Sequence, residues 1–295
     1  MATGIVQAIV DRQKWLDDLS DSIQPLVNNA FSSGGEAGHV VKDLLNGVWL
    51  GHPLHPVITD VPVGAWTLTE LLDLISAARG DDPGLDAASD ISLAAGIVAA
   101  LGAAVTGITD WSDVGGSQRR MGLAHGLINV VGLTLNLGSL ALRSTGNPRN
   151  RGASRVLSAA GYLVSATAAY VGGELVYGLG QAVNRDAWVD GPEKYTDVAS
   201  VDELPDGEMV KVELDGRPIV LLKHEDGTHA FEGTCPHFGC GLWDGKLEGH
   251  ILTCPCHGSQ FDVTDGTLVH GPATAPVPSY EVRVRKGRVE VRLSR

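Results

Sequence analysis

The chain has 295 residues, room for two ordinary domains, and its 35 Asp and Glu outnumber its 22 Lys and Arg, for a formal net charge of −13. That balance leaves no electrostatic footprint for phosphate backbones, which excludes nucleic acid as a partner. Hydrophobic residues make up 43%, aromatics only 5%, and 38 positions are Gly, so small apolar residues carry the hydrophobicity, while 4 Cys are too few for a disulfide-dense scaffold.

Residues 1–50 form an N-terminal segment, and within 1–31 Ile5, Ile9, Leu16, Leu19 and Ile23 recur at helical spacing, predicting an amphipathic helix that packs on the rest of the protein. No charged n-region followed by an apolar run and a cleavage site is legible there. Residues 51–183 change character. Four apolar stretches, 57–78, 91–109, 121–142 and 156–179, are separated by polar linkers, and the second and third contain no Asp, Glu, Lys or Arg. Each approaches the ~20 residues that span a ~30 Å hydrocarbon layer. Helices of a soluble bundle would keep a polar face, so the pattern predicts a four-helix transmembrane bundle. Small residues at four-residue spacing, Gly122 with Gly126 and Gly96 with Ala100, let such helices approach closely.

The first stretch carries Asp60, Glu70 and Asp73, which must face the bundle interior or titrate. Glu70, near mid-span, is expected to be bonded to a Ser or Thr of a neighbouring helix. Arg79, Arg143, Arg149, Arg151 and Arg155 lie at one set of helix ends and Lys42, Arg119, Arg120, Arg185 and Lys194 at the other, so counting cations does not orient the domain. His55 enters the first stretch and His125 opens the third, at the same depth. Two imidazoles so placed could be the axial ligands of a haem b, or could anchor a helix start and hydrogen-bond inside the bundle.

After a linker at 184–195, residues 196–295 break into short runs of period-two alternation, among them VKVEL, RPIVLLK, SYEVRV and RVEVRL. They predict an antiparallel all-β domain, so the chain is multidomain, α followed by all-β. Every Cys falls in this part, in two loops: Cys235-Pro236-His237-Phe238-Gly239-Cys240 and Cys254-Pro255-Cys256-His257-Gly258-Ser259. Each loop offers a thiolate and an imidazole, as C-x-H and C-x-x-H. Zinc could use that donor set, but the one-residue gap is not the usual zinc-finger spacing. No two-His, one-carboxylate set is visible in the soluble half, which speaks against a mononuclear-iron oxygenase.

Two Cys on one iron with two His on the other defines a Rieske centre, and residues 196–295, including Phe261 to Gly266 and Gly271 to Pro276, resemble the Rieske [2Fe-2S] family. The resemblance implies that Cys235 and Cys254 bind the buried iron and that His237 and His257 bind the outer one. It also pairs Cys240 with Cys256 in the loop-clamping disulfide of cytochrome bc-type members, which the family's oxygenases generally lack. Ser259 matches a hydroxyl that bonds a bridging sulfide, whereas Phe261 replaces a Tyr donor of high-potential members. The implied potential lies within about −150 to +300 mV, below those members.

The box Gly51-His52-Pro53-Leu54-His55-Pro56 resembles the H-P-x-H-P motif of an uncharacterised family of bacterial four-helix membrane proteins, over about 50–180. Together the resemblances imply a multi-pass protein of the bacterial plasma membrane, an electron carrier and not a self-contained catalyst. It would pass single electrons between a membrane redox donor, a quinol or haem protein, and a partner oxidoreductase. The alternatives are an assembly or sensory protein with a structural cluster, or an oxygenase-associated electron-transfer component. Cluster insertion in the cytosol favours a cytoplasmic β domain; the implied disulfide favours the other side.

Overall fold

The computed structural model describes residues 3–294 and divides into two compact units, one of residues 3–38 with 54–181, the other of 39–53 with 182–294. The helices are α1 (Thr3–Val10), α2 (Trp15–Ser32), α3 (Gly35–Asn46), α4 (Leu54–Ala78), α5 (Pro83–Trp111), α6 (Gly116–Ser144) and α7 (Arg151–Gly173). The single amphipathic helix expected at the N-terminus is thus two, α1 and α2. Within the first unit α2 packs as a surface helix: Gln24 Nε2 donates to the carbonyls of Trp111 and Val114 at 2.9 Å, closing the end of α5. Arg120 reaches Asp17 at 2.7 Å and Arg119 reaches Asp21 at 2.7 Å.

The long helices outrun their apolar stretches. Asp82 caps α5, its Oδ1 accepting from the backbone N–H of Gly84 and Leu85, and Pro83 fills the first turn where no N–H is needed. Three runs, Pro83–Trp111, Gly116–Ser144 and Pro148–Gly178, are long and apolar enough to cross a membrane, which supports a multi-pass membrane protein. α4 has 25 residues and carries Asp60, Glu70 and Asp73. Glu70 lies beside Ser158 of the neighbouring α7, with its Oε1 buried and without a hydrogen-bond partner.

α4 lies along α5 and α6 along α7, and the two hairpins repeat one another. His55 Nδ1 meets the Ala103 carbonyl at 2.9 Å, and a Cβ on Gly107 would come within 2.8 Å of the His55 ring. In the second hairpin His125 Nδ1 meets the Ala168 carbonyl at 2.8 Å, and a Cβ on Gly172 would come within 3.0 Å of that ring. Three turns further on, Trp66 covers Gly96 and Asn136 covers Gly161. One turn beyond, Ser89 donates to the Thr69 carbonyl and, at the matching positions, Ser139 bonds the Ser154 carbonyl. The glycines are required here because the partner side chain fills the space a Cβ would take.

At the far end the repeat is complementary in charge. Asp73, Asp86 and Asp90 of the first hairpin stand where Arg143, Arg151 and Arg155 stand in the second, and they pair. Arg143 clamps Asp73 and reaches Asp90 at 2.9 Å; Arg151 reaches Asp90 at 2.6 Å, and Arg155 reaches Asp86 at 2.8 Å. Three of the five arginines counted as free charges at this end are therefore interior ion-pair partners.

The second unit holds β1 (Thr196–Ser200), β2 (Met209–Leu214), β3 (Arg217–His224), β4 (Gly227–Glu232), β5 (Lys246–Glu248), β6 (Ile251–Thr253), β7 (Gln260–Asp262), β8 (Leu268–His270), β9 (Ser279–Arg285) and β10 (Arg288–Leu293). They form a six-stranded antiparallel sheet, ordered β1-β10-β9-β4-β3-β2, and a four-stranded sheet, β5-β6-β7-β8. Lys286 and Gly287, both at positive φ, make the β9–β10 turn, which registers Val284 opposite Val289 on one face and Arg283 opposite Glu290 on the other. Three connections carry the candidate site: β4 to β5, β6 to β7 and β8 to β9.

Candidate metal centre

Cys235 and Cys254 are free and buried, and belong to one core cluster with Phe231, Leu242, Leu252 and Phe261. Each loop turns back on itself: Gly239 N–H donates to the Cys235 carbonyl at 2.8 Å, and Gly258 N–H to the Cys254 carbonyl at 3.1 Å. Gly239 and Gly258 both have positive φ, the left-handed conformation that lets each turn close over its sulfur. The N–H groups of His237 and Phe238 point to the Cys235 sulfur, and those of Cys256 and His257 to the Cys254 sulfur. Such donors stabilise negative charge on a thiolate. The two thiols face one another: their mutual contact, with burial, pushes Cys235 up, while the same contact pulls Cys254 down.

The imidazoles of His237 and His257 lie with ring centroids 5.0 Å apart, and Phe238 packs against both. Burial, the neighbouring His257 and the charges of Lys42 and Arg185 push His237 down to about 3; burial and Lys42 lower His257. Both rings are therefore neutral, the form that donates a lone pair to a metal. Their Nδ1 atoms are buried without a hydrogen-bond partner. A buried nitrogen left unpaired costs about 1–3 kcal/mol, and a metal bond at that atom removes the cost. Two buried thiols beside two such nitrogens fit a two-Cys, two-His iron–sulfur group.

Cys240 and Cys256 are joined as a disulfide, tying the first loop to the second. Ser259, fully buried, accepts the Ala273 N–H at 2.9 Å and so ties the second loop to the third. Phe261 is core, 2% exposed.

Two residues of α3 complete the site unannounced by any motif. Asp43 Oδ2 lies 2.6 Å from His270 Nδ1, and Asp43 Oδ1 accepts the Gly271 N–H at 2.8 Å, so the 39–53 segment holds the entry to the third loop. Lys42 adds the positive charge felt by both site imidazoles. A lone acid and a lone base in an amphipathic helix carry no signal of this. A second omission is corrected by the structure: His224, Asp226 and His250 bring their ligand atoms within 4.8 Å of one another, so the β domain does contain a two-His, one-carboxylate group. In the helical unit His55 and His125 meet edge to face, ring centroids 6.2 Å apart, whereas His52 is exposed.

A family model described as a Rieske [2Fe-2S] domain matches residues 194–281, and one described as a predicted membrane protein (DUF2231) matches residues 51–185. The ferredoxin component of the naphthalene 1,2-dioxygenase/salicylate 5-hydroxylase systems of Ralstonia sp is 32% identical over 101 residues, 34% of this chain and 97% of that protein. The ferredoxin component of the alkene monooxygenase system of Xanthobacter autotrophicus is 39% identical over 97 residues, 32% of this chain and 79% of that protein. Among solved structures, the ferredoxin of carbazole 1,9a-dioxygenase from Nocardioides aromaticivorans matches at 26% identity and TM-score 0.32, covering 34% of this chain and 99% of that one. The β domain is thus of the electron-carrier kind and not a self-contained catalyst. Through residues 194–281 the chain belongs to the Rieske [2Fe-2S] family.

Proposed function

We propose that Cys235, Cys254, His237 and His257 hold a [2Fe-2S] cluster and that the chain is a membrane-anchored carrier of single electrons to an oxygenase-type partner. One observation carries the reading: two buried free thiols and two buried, partnerless imidazole nitrogens in loops locked together by a disulfide. When bound, the cluster supplies a one-electron couple. The residues do the rest. Cys235 and Cys254 anchor from the core, Cys235 1% and Cys254 2% exposed. His237, His257 and Phe238, all partly exposed, form the outward face on which a partner docks. Ser259, having accepted the Ala273 N–H, keeps its own hydrogen to donate.

The relatives named above are ferredoxin components of oxygenase systems, which favours an oxygenase-type acceptor over the quinol-linked role expected from the sequence. The Cys240–Cys256 disulfide keeps the quinol reading alive, being a feature that resembles the cytochrome bc-type members. On the membrane side, α4 with its H-P-x-H-P box would be the fourth span of a bacterial plasma-membrane domain, with the β domain on the cytoplasmic face. His55 and His125 are equivalent in the two hairpins, each Nδ1 held by a carbonyl, and would hold a haem b only if the iron displaced Asn129 Nδ2, 3.1 Å from His125 Nε2; an absorption spectrum with a Soret band tests it.

The deciding experiment mixes the reduced full-length protein in nanodiscs with a ring-hydroxylating oxygenase freed of its own ferredoxin, or with a bilayer quinone. Rapid oxidation of the cluster by the oxygenase supports the proposal. Oxidation only by the quinone overturns it.

A further inference from the structure

The β3–β4 hairpin and the turn before β6 bring together a second group of metal-ligating side chains. His224 ends β3, Asp226 lies in the two-residue turn and His250 immediately precedes β6. Asp226 Oδ1 is 3.1 Å from His224 Nδ1, and Asp226 Oδ2 is 3.9 Å from His250 Nε2; the rings of His224 and His250 have centroids 4.6 Å apart. A fourth residue, His229, places Nε2 3.0 Å from Asp226 Oδ1. Three imidazoles therefore crowd one carboxylate, and among them His250 keeps a buried Nδ1 with no hydrogen-bond partner.

We propose that His224, Asp226 and His250 bind one borderline divalent transition-metal ion of the Zn2+ class. Imidazole nitrogen and carboxylate oxygen are the donors such ions prefer, at about 2.0–2.2 Å, so ligand atoms around one ion stand roughly 3–3.5 Å apart. The three ligand atoms already lie within 4.8 Å of one another, and small side-chain rotations close the difference. His229, hydrogen-bonded to the carboxylate, acts as the outer partner that orients it. Three protein ligands leave a position for water. The hairpin belongs to the six-stranded sheet and His250 leads into the four-stranded one, so the ion clips the two sheets together. β4 and β6 each run from this group towards a cysteine loop, which puts the clip at the opposite ends of those strands from the Rieske site.

The test uses tag-free full-length protein in detergent, with its cluster loaded and verified by EPR so that the Rieske ligands are occupied. Zn2+ is titrated against a chromophoric chelator, and bound zinc is counted by elemental analysis. The wild type should take one zinc per chain in addition to its iron. The His224→Ala/His250→Ala double variant should lose affinity by more than about 100-fold, and His229→Ala by about 10-fold to 100-fold, as outer-partner changes do. An unchanged cluster EPR signal shows that the variants fold. Equal zinc binding by the double variant, or no stoichiometric zinc on the wild type, overturns the proposal. Because zinc and cluster are read separately, a chain without a cluster signal refutes the Rieske reading and not this one.

Discussion

Replacing Asp73 by Asn removes the one carboxylate among the described residues that touches all three arginines of the second hairpin: Arg143 directly, Arg151 at 3.1 Å and Arg155 at 3.7 Å. The Asp73 side chain is 4% exposed and that of Arg143 1%, so neither charge can turn to water once its partner is gone. Removing one member of a buried pair costs about 3–5 kcal/mol, and the lower end applies because Arg143 keeps Asp90 at 2.9 Å. Asp90 is 36% exposed, so Asp90→Asn should cost only about 1 kcal/mol. Changing Asp73→Leu together with Arg143→Met replaces the pair by apolar volume and should recover most of the loss, whereas independent sites would add. Unfolding of the full chain in detergent, followed by the helical circular dichroism, reads all of these. If Asp73→Asn is no worse than Asp90→Asn, or if the double variant is the sum of its singles, the two hairpins are not held by this network.

Three further outcomes test other parts of the account. Burial, and then the charge of Glu232, hold Asp186 at about 7 against an ordinary 3.8, so the folded chain keeps a proton that the unfolded chain loses, and stability falls as pH rises from about 4 to about 7. Asp186→Asn should therefore stabilise the β domain at pH 8, by on the order of 2–4 kcal/mol, and do little at pH 4, in thermal melts at the two pH values; equal effects at both would refute it. Ser259→Ala removes a donor worth about 1 kcal/mol to the reduced state and should lower the midpoint potential by roughly 40–60 mV in a redox titration, while an unchanged potential would show the hydroxyl is not engaged. Asp43→Ala loses the contacts to His270 and Gly271, at about 1.5–3 kcal/mol for bonds to a charged group, and should shift loss of the cluster absorbance to lower denaturant; an unshifted midpoint would leave α3 without a role at the site.

What the sequence discloses depends on how local the cause is. The C-x-H and C-x-x-H boxes are local, each a single turn closing over one sulfur, and the structure brings Cys235, His237, Cys254 and His257 together. The apolar stretches are equally legible, but not where the helices begin, because Asp82, Gly115 and Asn150 start them in polar sequence. The duplication of the helix hairpins escapes notice because its halves share a His and small residues but carry opposite charges. What matches is a set of contacts, visible only once Gly107 and Gly172 lie beside their rings. Asp43 is likewise hidden, 227 positions from His270. The His224, Asp226 and His250 group joins two sheets and has no spacing to read.

The most direct measurement is EPR of the chemically reduced, full-length protein together with its iron and labile sulfide content. The account predicts the low-temperature signal of a reduced [2Fe-2S] centre, two irons and two sulfides per chain, all lost in a Cys235→Ser/Cys254→Ser variant. Protein that gives no such signal and carries zinc at the thiols in place of iron and sulfide would contradict it.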